Sequence, residues 1–489
     1  MKTIKRVFLV VFCFLMLVSS IGCKAKSKKA IIYFEIQSEP SNLDPQIVKE
    51  DSELLLVRNL FEGLMRKNHK GEIVCGAAKS YKKDGLTYTF TLREGLCWSD
   101  KSKVKADDFV FGIKRALTKS TGAPFASRLF SIVGAKEMYE GKLAANFGVK
   151  ARGDKVVITL KKEDKNILET LSSSVAMPCS EKYFQKTEGK YCQDASSIIC
   201  NGSYDIFKWN KEKFAIRLYK NEYYKGEFKA QNAGVFFSLV SDKKQVDRLK
   251  RTESDMAFIP SNEIASAKEE GIKTISSENK CWFLTIGDCF DKNTKTALLK
   301  AFSADVYKNK LSDGLEYADS IYPGILGLKT EGELPLPQYD IESAKQIINE
   351  LIKSSPDEKF PPSTLYYYDD PSVKDAVNAV LGHWQQNLSA FINMQDSTSL
   401  DALQKEIGER TLPFALFPVT AYSTSSEEYL NQLGLSGNIN TAQNNLLKDY
   451  NILPFAFQST DIAYTNVIES VYMDTGNGYI DFAYIIKND

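Results

Sequence analysis

The order of apolar and polar residues after residue 30 predicts alternating strands and helices. Ile31 to Gln37 has the composition of a strand, and the double-proline run Glu39 to Pro45 ends it. A helix is expected next, because Asp51 or Ser52 can cap it. The apolar residues after this cap recur at helical spacing, at Leu54, Val57, Phe61 and Leu64.

Strict alternation predicts strands in several later segments. The turn Lys83–Gly85 precedes alternating threonines and apolar residues from Thr87 to Leu92, as in a half-buried strand. Within Val149 to Leu160, a turn and a following strand are expected. A further strand pair is expected around Asn201-Gly202, and the alternation from Ile480 to Ile486 predicts a closing strand.

Helical spacing returns in three longer segments. Ala106 to Leu117 carries acidic residues in its first turn and an apolar stripe, and Asp340 can cap a second helix. The Pro/Gly-rich connection from Pro323 to Pro337, which precedes this second helix, suggests a domain boundary nearby. Val373 to Leu388 has the stripe of a long amphipathic helix, and the mixture is typical of α/β folds. The strands expected to flank the next helix are Ala390 to Met394 and Leu412 to Val419.

The N-terminus has the features of a bacterial secretory signal. Three basic residues precede a twelve-residue apolar run, Val7 to Val18, which is too short to span a bilayer. Cys23 then follows small residues as in a lipobox, although Ser20 stands where leucine is usual. We therefore expect residues 1–22 to be removed and Cys23 to be lipidated. Residues 23–30, rich in lysine, would tether an extracytoplasmic protein to the cell membrane.

Charge and length limit the functional classes. The chain has 63 basic and 62 acidic residues, and loss of three basic residues with the signal leaves 60 against 62, a net charge of −2. This balance gives no electrostatic footprint for nucleic acid. The remaining 467 residues (489 minus 22) exceed what one core normally serves, so two or three domains are expected.

The cysteines leave the disulfide question open. Besides Cys13 and Cys23, seven remain, and an odd number cannot all pair within one chain. Either Cys192 with Cys200 or Cys281 with Cys289 could close a short loop outside the cytoplasm, but free buried thiols fit the residues equally well.

Catalytic chemistry has little support in the sequence. The chain has two histidines, His69 and His383, and neither lies near a nucleophile pattern. His69 is expected in a solvated turn and His383 on an amphipathic helix. The cysteines lack paired C-x-x-C spacing and there is no phosphate-binding glycine loop, so we expect no catalytic residue, metal or cofactor.

Eight short motifs carry a family resemblance. They are Glu39-Pro40-x-x-Leu43-Asp44-Pro45, Phe61-Glu62-Gly63-Leu64, Tyr88-Thr89-Phe90-x-Leu92-Arg93-Glu94-Gly95-x-x-Trp98-Ser99-Asp100, Ala106-x-Asp108-Phe109, Asn201-Gly202-x-Tyr204, Lys220-Asn221-x-x-Tyr224, Tyr339-Asp340-x-x-x-Ala344-Lys345 and Phe482-Ala483-Tyr484-Ile485-Ile486-Lys487. In this order the chain resembles the oligopeptide and dipeptide (family 5) solute-binding proteins of ABC importers, from about Tyr33 to its end. Most motifs are interpreted as fold landmarks: Asp44-Pro45 as a turn, Trp98 as a packing residue and Asn201-Gly202 as a position that tolerates positive φ.

The resemblance implies a two-lobed α/β fold of the periplasmic-binding-protein class II type with an inserted domain. The lobe split in sequence would take residues 24–61, 193–285 and 459–489, the inserted domain 62–192, and the second lobe 286–458. A monomer would close its lobes around an oligopeptide and deliver it to a permease with its ATPase subunits. No bond is broken in this scheme, so no enzymatic activity is expected.

The sequence departs from the family at the expected ligand anchor. Relatives often pair the peptide's ammonium with an aspartate in a second-lobe segment, but residues 417–425 contain no acid here. Unless Glu427 or Glu428 reaches in, a buried ammonium would lack its counter-charge, which is costly. The candidate ligand-binding residues come from this window and from strands that face the cleft in relatives: Trp282, Phe283, Phe417, Thr420, Tyr422 and Phe457.

Two alternatives stay open at this point. For each candidate aromatic, core packing is as good an interpretation as ligand contact. The absent acid also leaves room for a surface lipoprotein on the same scaffold, which would sense a signalling peptide or bind another solute or protein partner without transport.

Overall fold

The computed structural model describes residues 30–488 except 37, 213–214, 241–243, 313, 329–333, 398–399, 423–424, 449–450 and 475–478. The predicted signal and lipidation site at Cys23 lie outside the described residues. Within the described part of the chain, the helices are all too short or too polar to cross a membrane.

The described strands alternate with helices along the chain, as expected for an α/β fold. The strands are β1 (Ile31–Ile36), β2 (Met65–Lys67), β3 (Ile73–Cys75), β4 (Ala78–Asp84), β5 (Thr87–Leu92), β6 (Val149–Arg152), β7 (Lys155–Thr159), β8 (Tyr204–Asn210), β9 (Ala215–Lys220), β10 (Gly234–Leu239), β11 (Met256–Ile259), β12 (Lys273–Ile286), β13 (Leu315–Tyr317), β14 (Ser363–Tyr368), β15 (Ile392–Ser397), β16 (Phe414–Thr420), β17 (Ile452–Tyr464), β18 (Ile468–Glu469), β19 (Met473–Asp474), β20 (Tyr479–Ile480) and β21 (Ile486–Lys487). The α-helices are Asp51–Leu60, Ala106–Ala116, Ala135–Tyr139, Ile167–Thr170, Glu181–Lys186, Gln245–Lys250, Ile264–Glu269, Lys292–Lys300, Ala304–Tyr307, Ile341–Ser354, Pro371–Leu388, Leu400–Glu409, Ser426–Gln432 and Ile439–Leu447.

One mixed sheet runs through the molecule in the order β15-β14-β16-β12-β17-β11-β1-β10-β9-β8, with β13 beside β17. β12 and β17 are its longest strands and pair antiparallel from Lys273↔Tyr464 to Thr285↔Ile452. The remaining strands of the sheet extend it on both sides of this central pair. β11 pairs with the end of β17, and β16 with the end of β12. A first lobe on β11, β1, β10, β9 and β8 is thus joined to a second lobe on β16, β14 and β15.

The pairing of β12 with β17 is interrupted at Asn279, where the register shifts between Glu278 and Lys280. Asn279 is buried, its carbonyl accepts from the Ala421 amide at 2.7 Å, and its side-chain oxygen accepts from Thr460 Oγ1 at 3.1 Å. A bulge of this kind lets two long strands bend where one lobe gives way to the other.

Side chains of β12 beyond the bulge pack in the second lobe. Trp282 and Leu284 lie in a cluster with the helix Pro371–Leu388, whereas Cys281 and Phe283 lie in a cluster on the other face of the sheet. The strand therefore already belongs to the second lobe at residue 281 by packing. By this packing, β12 passes from the first lobe to the second before residue 285, the boundary in the expected domain scheme. The boundaries of that scheme stay predictions.

Residues between the first helix and β8 form a separate four-stranded sheet in the order β4-β5-β7-β6. The apolar face of β5, with Tyr88 and Phe90, and the stripe of the helix Ala106–Ala116 share the core cluster that also holds the first-lobe strand β1. This inserted region is therefore packed onto the first lobe.

The family landmarks bind one another across this junction. Asn201 accepts from the Glu62 amide at 3.0 Å and donates to its carbonyl at 2.9 Å, and the Glu62 carboxylate accepts from Tyr224 Oη at 2.6 Å and from Arg66 at 3.0 Å. Burial raises the pKa of Glu62, against the opposing effect of Arg66. Three of the motifs thus form one buried hydrogen-bonded unit.

Two further landmarks are paired in the same way. Asp44 forms a bidentate ion pair with Arg115, with oxygen–nitrogen distances of 2.6 and 3.0 Å, in addition to turning the chain. Trp98 donates through Nε1 to Asp108 Oδ2 at 3.1 Å, and that oxygen also accepts from the Lys105 amide at 2.9 Å. Asp108 therefore ties Trp98 to the start of the helix Ala106–Ala116.

Three expectations are wrong in detail. Asn201-Gly202 precedes the hairpin β8–β9 and is not surrounded by it, and Gly202 is not in a positive-φ conformation. Glycine is needed there because a Cβ would lie 2.8 Å from the Leu60 backbone. The segment Ile480–Ile486 is not one strand, because Asp481 caps a short 3-10 turn and Phe482 packs edge-on against Phe34.

Candidate functional site

A cavity of about 380 Å³ lies where β12 and β17 pass between the lobes. The first lobe contributes the helix start Glu50–Ser52 and the end of β11 with its following turn, Phe258–Ser261. The second lobe contributes Tyr368–Pro371, and β17 contributes Gln458–Asp461. The wall is therefore built from both lobes and from the strands that join them, which is the arrangement of a ligand cleft.

Contacts between the inserted region and the second lobe close the outer side of this cleft. The rings of Phe125 and Tyr422 meet edge-to-face at 5.0 Å between centroids. Arg128 forms an ion pair with Glu428, and Asn166 Nδ2 donates to Ser425 Oγ at 3.2 Å. The structure is thus the closed arrangement of the two lobes.

One amine lies among the described residues that line the cavity. Lys280 Nζ is 3.1 Å from Asp51 Oδ2, and the pair links β12 to the first-lobe helix. Burial works against the charge on Lys280, but Asp51 and Asp370 outweigh it, so the pKa of Lys280 is raised. This lysine is therefore charged and already neutralised by a carboxylate of the protein.

Five carboxyl groups line the wall, counting the Asp51 that pairs with Lys280: Glu50, Asp51, Asp369, Asp370 and Asp461. Asp370 caps the helix Pro371–Leu388, since Oδ1 accepts from the Ser372 amide at 2.9 Å, and Oδ2 accepts from Gln458 Nε2 at 3.2 Å. Asp369, beside it, is exposed. Five carboxyl groups against one lysine make the cleft strongly acidic.

Two buried acceptors in the wall accept no hydrogen bond of normal geometry in the described structure. Asp461 is 2% exposed; its Oδ2 accepts from Ser261 Oγ at 2.9 Å, but Oδ1 accepts no hydrogen bond of normal geometry. Gln245, 1% exposed, has an unpartnered Oε1. Burial raises the pKa of Asp461, against the lowering effects of Ser276, Ser261, Lys280 and Lys268.

The residues that the sequence proposed for ligand binding separate into two groups. Thr420 and Tyr422 line the cavity. The other four, Trp282, Phe283, Phe417 and Phe457, are buried in the second-lobe clusters or against them. Trp282 reaches the cleft indirectly, because its Nε1 donates to the lining residue Gln458 at 2.7 Å.

Glu427 and Glu428, the two acids considered as replacements for the missing anchor, are engaged outside the cleft. Glu428 pairs with Arg128, and Glu427 lines a separate cavity on the outer seam between the inserted region and the second lobe. Residues 423–424 of the anchor window lie outside the described residues. The carboxylates of the cleft therefore come from other elements, which sequence reasoning missed.

The histidines lie apart from the cleft. His69 is exposed in its turn, with its ring 5.1 Å from that of Tyr484. His383 lies on the long second-lobe helix, and its Nε2 is 3.4 Å from Tyr339 Oη. Among the described residues, no group of three or more His, Cys, Asp or Glu side chains has the geometry to hold a metal.

Comparison with known proteins decides the family. The model of the bacterial extracellular solute-binding proteins, family 5 (middle), matches residues 72–441. The chain belongs to this family. OppA of Bacillus subtilis (strain 168), an oligopeptide-binding protein, is 26% identical over 398 residues, which cover 77% of this chain and 72% of the relative.

Solved structures show the family fold at full length. OppA of Haemophilus influenzae in complex with RPPGFSPFR superimposes with a TM-score of 0.80 at 18% identity, over 95% of this chain and 100% of that one. OppA of Burkholderia pseudomallei gives a TM-score of 0.79 at 16% identity over the same shares. The expected two-lobed α/β fold is confirmed for this family 5 chain.

Proposed function

We propose that this family 5 protein is the ligand-capturing component of an ABC importer and that its ligands are oligopeptides. The observation that carries the proposal is the closed cleft, with walls from both lobes and from two through-running strands. The relatives that bind oligopeptides support the ligand class.

Capture in this scheme is a shift of the open–closed equilibrium. The ligand contacts both walls only when the lobes close, so it stabilises that state by its differential affinity. The permease, with its ATPase subunits, then recognises the closed form. Bending at the Asn279 bulge supplies the motion.

Binding of peptides to the purified chain tests the proposal. After unfolding and refolding to remove co-purified ligand, peptides of three to nine residues should raise the thermal unfolding temperature and titrate with 1:1 stoichiometry by calorimetry. Native mass spectrometry before refolding should show peptides retained from the host. If sugars or metals bind and no peptide does, the ligand class is wrong.

The membrane anchor is a second part of the proposal. Cys23 is the residue that we infer to be lipidated after removal of residues 1–22, and it lies outside the described residues. Metabolic labelling with palmitate should mark the wild type and not Cys23→Ala; equal labelling of both would refute the anchor.

A further inference from the structure

The wall of the cleft is complementary to a cation. Five carboxyl groups face the cavity, whereas its described lining holds one amine, and that amine is already bound to Asp51. Inside a closed cleft water is scarce, and an uncompensated carboxylate there is costly. A ligand with a positive group would relieve that cost, and an anionic ligand would add to it.

The unpartnered atoms in the wall also favour a ligand that carries hydrogen-bond donors. Asp461 Oδ1 and Gln245 Oε1 are both acceptors, both buried, and neither accepts a hydrogen bond of normal geometry within the described structure. Buried polar atoms are normally hydrogen-bonded, so an orphan in a native wall calls for an explanation. A ligand that brings N–H donors satisfies both, whereas a ligand that brings acceptors satisfies neither.

We propose that the cleft is selective for basic oligopeptides, with Asp461 and Gln245 on the first-lobe wall receiving the ammonium or guanidinium group of a lysine or arginine side chain. This inference rests on the proposed function, since it names the kind of peptide that the same cleft takes. The exposed carboxylate of Asp369, on the opposite lobe, adds to the negative field.

The assignment gives the cleft a counter-charge that residues 417–425 do not provide. Charge-assisted hydrogen bonds to a carboxylate are about twice as strong as neutral ones. A glutamine side chain in the same place keeps an N–H donor and loses the charge, and a glutamate loses both. The expected order of affinity is therefore lysine, then glutamine, then glutamate.

Calorimetric titration of ligand-stripped protein with pentapeptides tests this order. Alanine pentapeptides that carry one lysine, glutamine or glutamate at each position in turn form a matched set. We expect lysine at one position at least to bind about tenfold more tightly than glutamine, which corresponds to about 1.4 kcal/mol. Asp461→Asn should reduce this preference below about threefold and leave the glutamine peptide's affinity within about twofold.

Two further variants separate a role in binding from a role in folding. Gln245→Met removes the orphan oxygen at similar size. It should weaken the lysine and glutamine peptides, which both bring N–H donors, and leave the glutamate peptide unchanged, even if Asp461→Asn fails to fold. Asp375→Asn removes an exposed carboxylate from the helix that Asp370 caps, outside the cavity lining, and should leave the preference unchanged.

The outcomes distinguish the inference from the function beneath it. Equal affinity for the lysine, glutamine and glutamate peptides would overturn the inference and leave peptide capture intact. Binding of no peptide in the set would count against both. Full lysine preference in Asp461→Asn, together with unchanged affinity of Gln245→Met for the lysine peptide, would refute the assignment of the subsite to these residues.

Discussion

Arg128 and Glu428 meet across the seam between the inserted region and the second lobe, with Nη2 and Oε1 2.5 Å apart. Their side chains are 7% and 10% exposed, so both charges are buried in the closed arrangement. In an open arrangement the two groups would separate and be hydrated. The pair therefore contributes to closure more than to folding.

Glu428→Gln should weaken ligand binding without unfolding the protein. Removing one partner of a buried pair costs about 3–5 kcal/mol, but only the closed state carries this cost here. We expect ligand affinity to fall at least about tenfold by calorimetry, with the thermal unfolding temperature of the ligand-free protein nearly unchanged.

An exposed pair within the inserted region provides the control for this experiment. Lys161 and Glu137 are 35% and 47% exposed and 3.1 Å apart, and Lys161→Ala should leave affinity unchanged. If ligand-free Glu428→Gln itself lost about 3–5 kcal/mol of stability, the pair would support the fold and not the closure of the lobes.

Affinity for a basic peptide should fall as the pH is lowered through the pKa of Asp461. Burial raises this pKa above 3.8 in the ligand-free protein, and a bound cation favours the ionised form and lowers it again. Binding is thus at full strength above the ligand-free pKa, weakens below it, and releases a proton in that range.

Titration in buffers of different ionisation enthalpy would measure that proton release, and Asp461→Asn should abolish it. The neutral glutamine peptide serves as the control, because its affinity should depend less on pH. An identical pH profile for both peptides would contradict the role given to Asp461.

Arg115→Ala should destabilise the protein by about 3–5 kcal/mol, because it leaves the buried carboxylate of Asp44 without its partner. The two side chains are 10% and 5% exposed, and the guanidinium also lies over the Phe184 ring at 4.1 Å. Arg251→Ala, at a 66% exposed site, should change stability by less than about 0.5 kcal/mol. Denaturant unfolding compares the two, and equal effects would refute the difference.

The cysteines should all titrate as thiols. The seven from Cys75 to Cys289 are unpaired in the structure, so neither short loop is closed. In a chain that begins at Lys24, we expect seven reactive thiols in denaturant without reductant. In the native protein Cys289, the exposed one, should react first, and buried Cys192 and Cys200 last. A count below seven would reveal a disulfide.

Local patterns predicted much of the fold because their period is a property of a single element. The helices Ala106–Ala116, Ile341–Ser354 and Pro371–Leu388 fall close to their expected spans. The closing strand failed because Asp481 satisfies the Ala483 amide locally, at 3.0 Å, and so breaks the alternation. The hydrophobic periodicity of a segment does not say which other segments it will pack against.

The cleft was harder to predict for the same reason. Thr420 and Tyr422, which the family window proposed, line the cavity, whereas Asp461 and Gln245 come to line it only after two distant segments pack together. One signal was available: Asp370 followed by Pro371 is an N-cap before a first-turn proline, which places acids at a helix start. Asp461, the one acid in the strand β17, was another.

The place of β17 in the large sheet also governs how the chain can be assembled. This strand lies between β11 and β12, and it leaves the ribosome or an export channel after both of them. Until it arrives, the strands of the two lobes have no continuous hydrogen-bonded connection. A chain that stops before Ile452 would hold two open sheet edges side by side, with the exposure to mispairing that such edges bring. Assembly of the large sheet therefore waits for β17, and products truncated before this strand should be substrates for proteolysis.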